Sequence, residues 1–175
     1  MTVGGIPAYV ATLTGIRYPV VIYGEDMVAV PIPGTFPLIS CSLFDAGGSP
    51  GVEIVYGNSS GTMTYSTLWV DGKILVTFPL RRTVAALGSS DDGVYCAVNP
   101  LGDTQDGIIY RCGESYQMPD GYVVMGSAGM AMVNGILHVG LSSLEGRKPL
   151  VWKDGQTDSL NINGYISSFC VELPQ

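Results

Sequence analysis

The sequence predicts an all-β protein made of four repeated units of antiparallel strands. Three observations support this prediction: short apolar runs between turn residues, a repeat of about forty residues, and hairpin turns at the same place in each repeat. Gly and Pro, 24 and 11 of the 175 residues, make up about a fifth of the chain and separate runs that are too short for helices. The length suits one domain with a core of its own.

The repeat is marked by four glycines, each followed by Ile or Val and a mainly apolar run. These glycines are Gly5, Gly51, Gly93 and Gly135, with spacings of 46, 42 and 42 residues. Counting on from Gly135 past Gln175 and back to Gly5 takes 45 residues. The repeat therefore closes on the length of the chain, as expected for a circular arrangement of repeats.

A second series of apolar runs lies in phase with the first, and each run precedes a turn. The turns are Gly24-Glu25, Asp71-Gly72, Cys112-Gly113 and Asp154-Gly155. Asp-Gly between apolar runs favours a hairpin, because a type I′ turn needs positive φ at both central residues. A further run follows each turn. A strand is also predicted before each repeat glycine, at Leu38–Phe44, Val84–Leu87, Ala128–Val133 and Ser167–Val171.

Four antiparallel strands in about 40–47 residues resemble one blade of the β-propeller repeat proteins. The resemblance implies a four-bladed β-propeller over residues 1–175, in which the C-terminal strand joins the N-terminal blade and leaves no open edge. It lies in period and turn placement and indicates no narrower family. A β-sandwich and a β-solenoid are the alternatives. The implied blades cover about 37–79, 83–119, 123–163, and 166–175 together with 5–33.

The composition favours a protein part of whose surface is buried by other subunits. Charged residues make up 13% of the chain, about half the usual ~25%. A surface so poor in charge favours burial by other subunits, with a monomer carrying a Ser, Thr, Asn and Gly surface as the alternative. The net charge of −7 disfavours nucleic acid, which is bound through Lys and Arg. No apolar run approaches the ~18 residues of a membrane span, so membrane insertion is not expected.

The first residues do not resemble a signal peptide, because they lack a basic region and contain Gly4, Gly5 and Pro7. We therefore expect the protein in the cytoplasm or in a virion or similar particle. In that setting the four cysteines are expected to be free thiols. Two pairs are expected to lie close together, Cys41 with Cys170 and Cys96 with Cys112.

No residue pattern indicates catalysis, a metal or a cofactor. His138 is the only histidine, so no histidine pair can hold a metal, and packing is the expected role of its ring. The carboxylates are scattered over separate turns and match no calcium loop. Trp69, Trp152 and Tyr110 occupy the same position in three repeats, which favours packing over ligand binding.

The loops predict two differently charged ends of the sheets. The loops between the second and third strands, together with the links between repeats, hold five basic and four acidic residues, giving +1. The turns at the other end hold seven acidic residues and two lysines, giving −5. Long loops on a rigid scaffold commonly bind, so the near-neutral end is the predicted binding face. Its candidate residues are Arg17, Asn58, Arg81, Arg82, Asp103, Asp106, Tyr122, Arg147 and Lys148.

The expected function is that of a non-catalytic interaction or structural module that docks into a larger protein assembly, such as a virion or another multi-subunit particle. The expected partners are the other protein subunits. A glycan-binding lectin is the alternative, because the long loops and several tyrosines could bind sugars. A carbohydrate-active enzyme is the third hypothesis, and no acid/base pair in the sequence supports it.

Overall fold

The computed structural model describes residues 1–12, 18–32, 36–58, 64–79, 84–100, 106–126 and 128–169. Within these ranges all regular secondary structure is β-strand, and the strands form four antiparallel sheets. The predicted all-β class is confirmed. Among the same residues, no helix has the length and apolarity needed to cross a membrane.

The chain divides into two compact units, residues 1–82 and 83–175, and each contains two sheets. In the first unit, consecutive strands pair in two meanders. Sheet 1 contains β1 (Thr2–Val3), β2 (Ile6–Thr12), β3 (Pro19–Tyr23) and β4 (Asp26–Ala29). Sheet 2 contains β5 (Leu38–Asp45), β6 (Pro50–Gly57), β7 (Thr64–Val70) and β8 (Lys73–Pro79).

The second unit repeats this plan with one change. Sheet 3 contains β9 (Val84–Ser90), β10 (Gly93–Val98), β11 (Ile108–Arg111) and β12 (Glu114–Gln117). Sheet 4 contains β13 (Tyr122–Val123), β14 (Met130–Val133), β15 (Ile136–Ser143), β16 (Leu150–Lys153) and β17 (Gln156–Ser159). Both β13 and β14 pair with β15, so the first edge of this sheet is shared between two short strands. The strand β13 was not predicted.

The predicted hairpin turns are present. Asp71, Cys112 and Asp154 have φ of 51°, 48° and 42°, and the glycine after each also has positive φ. Both central residues therefore adopt the conformation of a type I′ turn. In the turn Gly24-Glu25 only the glycine has positive φ, at 60°, which is the type II′ pattern.

Each unit has its own apolar core between its two sheets. In the first unit the core contains Val21 of sheet 1 and Val30, which follows β4. These residues pack with Ile54 and Trp69 of sheet 2. In the second unit it joins Ile109 of sheet 3 to Val139 and Trp152 of sheet 4, among others. Trp69, Trp152 and Tyr110 are 2%, 3% and 5% exposed, as expected for packing residues.

The predicted strand Ser167–Val171 is wrong in its described part, because Ser167–Phe169 form no strand. These residues instead pack on sheet 4, where Phe169 N donates to Ala128 O at 3.1 Å. Gly140 makes room for them: a Cβ there would lie 2.4 Å from Ile166 Cγ2 and 3.2 Å from Phe169 Cε2. Cys170 and Val171 lie outside the described residues, so the joining of the two chain ends stays a prediction.

The N-terminal sheet, predicted to lack a first strand of its own, has one in β1. Gly4 and Gly5 have φ of 54° and 81° and turn the chain from β1 into β2. Only two pairs of residues connect β1 to β2, Thr2 with Pro7 and Val3 with Ile6. Gly-Gly is itself a hairpin signal, and the sequence therefore contained the evidence for this strand.

Of the two predicted cysteine pairs, the structure describes one, and Cys96 and Cys112 do not lie opposite each other in the ladder. Cys96 pairs across the ladder with Tyr110, whereas Cys112 lies in the turn beyond β11. The two do not face each other, because the register places the turn two residues past Tyr110. Among the described residues, Cys41, Cys96 and Cys112 form no disulfide bond. Cys170 lies outside the described residues.

Candidate functional site

A cleft of about 460 Å³ opens in the second unit where loops from sheets 3 and 4 meet. We call it the loop cleft. Its apolar lining includes Met118, Pro119, Val123 and Leu144, and its acidic lining is Asp106, Asp120 and Glu145. The cleft thus combines apolar surface with three carboxylate side chains.

One wall is held by Asn99, which follows β10. Its side-chain amide donates to Val124 O at 2.9 Å, and its carbonyl oxygen accepts from Val124 N at 2.7 Å. This paired contact joins the start of the β10–β11 loop to the segment after β13. The wall is therefore fixed without help from a ligand.

The floor depends on a glycine. A Cβ at Gly107 would lie 2.6 Å from Met118 Sδ and 3.0 Å from Pro100 Cδ. Met118 is 2% exposed, and its N–H donates to Gly107 O at 2.8 Å. A larger residue at position 107 would displace Met118 and alter the floor of the cleft.

Arg147 braces the rim. Its Nη1 donates to Asp120 O at 3.1 Å, and its guanidinium forms an ion pair with Glu145. The same guanidinium lies against Gly121, where a Cβ would be 3.5 Å from Nη2. Gly121 O also accepts from Leu144 N at 3.3 Å. Arg147 therefore ties the β12–β13 link to the β15–β16 loop.

Leu144 is the main apolar group that this rim presents to solvent. Its side chain is 68% exposed, although it lies directly after the buried end of β15. The next N–H, that of Glu145, donates to Ser143 Oγ at 3.1 Å. The backbone around Leu144 is thus held in place while the leucine side chain stays in water.

Four of the nine predicted binding residues, Arg17, Arg81, Arg82 and Asp103, lie outside the described residues. Asn58 belongs to the first unit and follows β6. The structure groups the remaining four around the loop cleft, as its lining or as its supports. They are Asp106, Tyr122, Arg147 and Lys148.

These four differ in what they offer a partner. Asp106 is exposed and accepts from Gln117 Nε2 at 2.7 Å. Tyr122 is 7% exposed and donates to Lys148 O at 3.0 Å, so its role is support. The Lys148 ammonium donates to Asn161 Oδ1 at 2.5 Å.

The sequence-based charge count placed Asp120 and Glu145 at this end but did not select them as candidates, and it missed Leu144 as a lining residue and Asn99 as a support. An exposed leucine has no signal of its own in a chain where 46% of residues are hydrophobic. The charge count also left out Arg111, which lies inside β11 and forms an ion pair with Asp154 at the opposite end of the sheets. Hydrogen bonding to Asp154 raises the pKa of Arg111.

The described residues contain no cluster of three His, Cys, Asp or Glu side chains that could hold a metal ion. His138 is partly buried, and its ring meets Phe169 edge-on at 6.4 Å between centroids. In the loop cleft, the Asp106 carboxylate accepts from Gln117 and the Glu145 carboxylate pairs with Arg147, whereas Asp120 is contacted through its backbone oxygen. What this arrangement offers is a braced surface for binding.

The chain matches no family model, no curated protein and no solved structure.

Proposed function

We propose that the chain is a non-catalytic interaction module that docks on another protein of a larger assembly through the loop cleft. The observation that supports this most strongly is Leu144, a 68% exposed leucine on a rim braced by Arg147. Leu144 shares the cleft with the apolar residues Pro119 and Val123, and a grouped apolar surface marks an interaction site more than a lone exposed leucine does. A particle or virion would provide such an assembly.

The rigid rim favours binding because little ordering remains to be done when a partner arrives. Each loose side chain or loop that must be fixed on binding reduces affinity. Here Asn99 and Arg147 already hold both sides of the cleft. The partner best suited to this site offers an apolar side chain for Leu144 and basic groups for Asp106 and Asp120.

A protein partner suits the loop cleft better than a glycan. Sugar sites commonly offer an aromatic face, and none of the described residues that line the cleft is aromatic. Tyr122, the nearest candidate from the sequence, is 7% exposed and its hydroxyl is bonded to Lys148 O. Glycan binding remains the alternative to be tested on the same variants.

We also propose that the four sheets are the blades of one closed propeller. Support comes from the repeat period of 42–46 residues and from four antiparallel sheets in chain order. A closed disc of 175 residues should have a radius of gyration of about 16 Å in solution scattering. A clearly larger radius with the scattering of two separate bodies would contradict the closed ring.

The docking proposal is tested with two variants at the two ends of one strand. Leu144→Asp places a charge on the rim of the loop cleft, and Ile136→Asp is the control at the other end of β15, where Ile136 is 43% exposed. Chains that co-purify with the wild type in its native source should be lost with Leu144→Asp and kept with Ile136→Asp. Equal retention by both variants would contradict docking at this cleft.

A further inference from the structure

Trp69 and Trp152 occupy corresponding positions in the two units, which allows a direct comparison of their surroundings. Trp69 pairs with Val52 and Trp152 with Val139, and each is followed two residues later by the aspartate of a type I′ turn. Each tryptophan also belongs to the core that joins its sheet to the sheet before it. The two sites can therefore be compared residue by residue along the paired strands.

In the second unit the site is filled by the chain itself. The ring of Tyr116 meets Trp152 edge-on at 5.2 Å between centroids. Beside it, the Arg111 guanidinium forms an ion pair with Asp154 and donates to Gly135 O at 2.7 Å. Asp154 Oδ1 also accepts from Leu137 N at 3.2 Å. An aromatic ring and a guanidinium thus complete this site.

In the first unit the corresponding side chains are different, and a cleft of about 370 Å³ remains. The ladder places Val28 where the second unit has Tyr116, and Tyr23 where it has Arg111. Val28 is 44% exposed. We call this space the tryptophan cleft, and its polar and aromatic lining is Tyr23, Asp26, Trp69 and Asp71.

The tryptophan cleft also lacks a positive charge. Asp26 and Asp71 are the charged residues of its described lining. Asp71 accepts from Ser49 Oγ at 3.2 Å. Pro50 stands where Leu137 donates its N–H in the second unit, and proline has no N–H. The carboxylate that is paired with arginine in one unit is therefore without a cation among the lining residues of the other.

A second observation points to a ligand. The Trp69 side chain is 2% exposed, yet its indole Nε1 has no hydrogen-bond partner among the described residues. A buried donor without a partner destabilises the folded state. Trp69 lines the cleft, and its N–H, which has almost no accessible surface, can be satisfied by the carbonyl oxygen of an occupant only if the lining side chains shift.

We propose that the tryptophan cleft binds an arginine side chain presented by a partner polypeptide. The guanidinium would bond to Asp71 beside Tyr23, as Arg111 bonds to Asp154 in the second unit, and its apolar stem would cover Val28 and Trp69. A backbone carbonyl of the partner would accept from Trp69 Nε1 once the lining side chains have moved enough to expose that buried atom. This site lies in the first unit, and the inference does not depend on docking at the loop cleft.

The two tryptophans make the test specific. In ¹⁵N-labelled full-length protein the two indole N–H signals are assigned with Trp69→Phe, and the peptide acetyl-Gly-Arg-Gly-amide is titrated at low salt. We expect saturable movement of the Trp69 signal alone, with a Kd of about 1 mM or tighter, while the Trp152 signal stays fixed. The same peptide with citrulline, which is neutral, should bind at least tenfold more weakly.

Three variants separate this recognition from general attraction to an acidic protein. Asp71→Asn should weaken binding at least tenfold, and Val28→Tyr should abolish it by supplying the ring that covers the tryptophan in the second unit. Glu25→Gln removes an exposed carboxylate beside the cleft and should bind as the wild type does. The proposal is overturned if neither indole responds, if citrulline binds equally well, or if Asp71→Asn and Glu25→Gln behave alike.

Discussion

In the second unit Tyr116 contacts Trp152, and Arg111 forms an ion pair with Asp154. In the first unit Val28 and Tyr23 occupy the corresponding positions beside Trp69. The strands, the type I′ turn and the buried tryptophan are shared by the two units. The comparison shows that the shared arrangement of strands leaves a gap beside this tryptophan. The side chains at these two positions determine whether the chain itself fills the gap or the gap remains an open cleft.

The largest expected difference concerns the two tryptophans themselves. Trp152→Ala should lower the free energy of unfolding by about 3–5 kcal/mol, since it removes a buried ring and its contact with Tyr116. Trp69→Ala should cost about 1 kcal/mol less, because its ring borders an open cleft and carries an unpaired N–H. Urea unfolding followed by circular dichroism measures both. An equal or larger loss for Trp69→Ala would contradict the comparison.

The polar partners should differ by a smaller amount. Arg111→Ala should cost about 1–2 kcal/mol, because it removes a charged hydrogen bond from Asp154, whose side chain is 34% exposed. Tyr23→Phe removes one hydroxyl proton, shared between Val3 O at 3.4 Å and Gly48 O at 3.3 Å, and should cost about 0.5 kcal/mol or less. Urea titration of both variants checks the ranking, and a reversed order would show that Arg111 is not what closes the second site.

High pH provides a further contrast within the second unit. Burial raises the pKa of Tyr95 and of Tyr110 above 10.0. Between the unfolded and folded pKa the folded state keeps protons that the unfolded chain has lost. The free energy of unfolding should therefore fall as pH rises above about 10.

Phenylalanine variants isolate this effect. Tyr95→Phe and Tyr110→Phe should each make the loss of stability between pH 9 and 11 less steep. Tyr9→Phe, at a position 59% exposed in the first unit, is the control and should leave the slope unchanged. Identical slopes in all three variants would exclude the buried tyrosines as the cause.

The smallest effect is one of thiol reactivity without a change in stability. In a Cys170→Ser variant, maleimide should label the exposed Cys112 first and the half-buried Cys41 more slowly, since burial raises the pKa of the Cys41 thiol and lowers its thiolate fraction. Cys96 is 0% exposed and should react only after unfolding. Intact mass after timed labelling and digestion gives the order, and early labelling of Cys96 would contradict the register that buries it.

Local chemistry made most of the strands predictable. Pairs such as Asp71-Gly72 and Asn134-Gly135 adopt the positive φ that their residue types favour, and the apolar runs beside them pair as expected. The sequence did not reveal that Ile166 and Phe169 would fill the space over Gly140 instead of forming a strand. That outcome depends on the absent side chain at Gly140 on the face of β15, a space that exists only once the sheet is folded.

The candidate site was predictable as a region but not as a surface. Loop charge pointed to Asp106, Arg147 and Lys148, which the structure places around one cleft. It could not show that Arg147 is engaged by Asp120 O or that Leu144 is exposed, because both depend on how two loops meet. The tryptophan cleft was not predicted either, since it arises from a comparison of side chains on neighbouring sheets.

Docking through the loop cleft is tested most directly by lysine acetylation in the isolated protein and in the assembly with which it co-purifies. Lys148 lies in the loop that carries Leu144, two residues before β16, and Lys153 lies at the other end of that strand. We predict that assembly slows acetylation of Lys148 severalfold and leaves Lys153 unchanged. Slowed acetylation of Lys153 with an unchanged rate at Lys148 would contradict docking through the loop cleft.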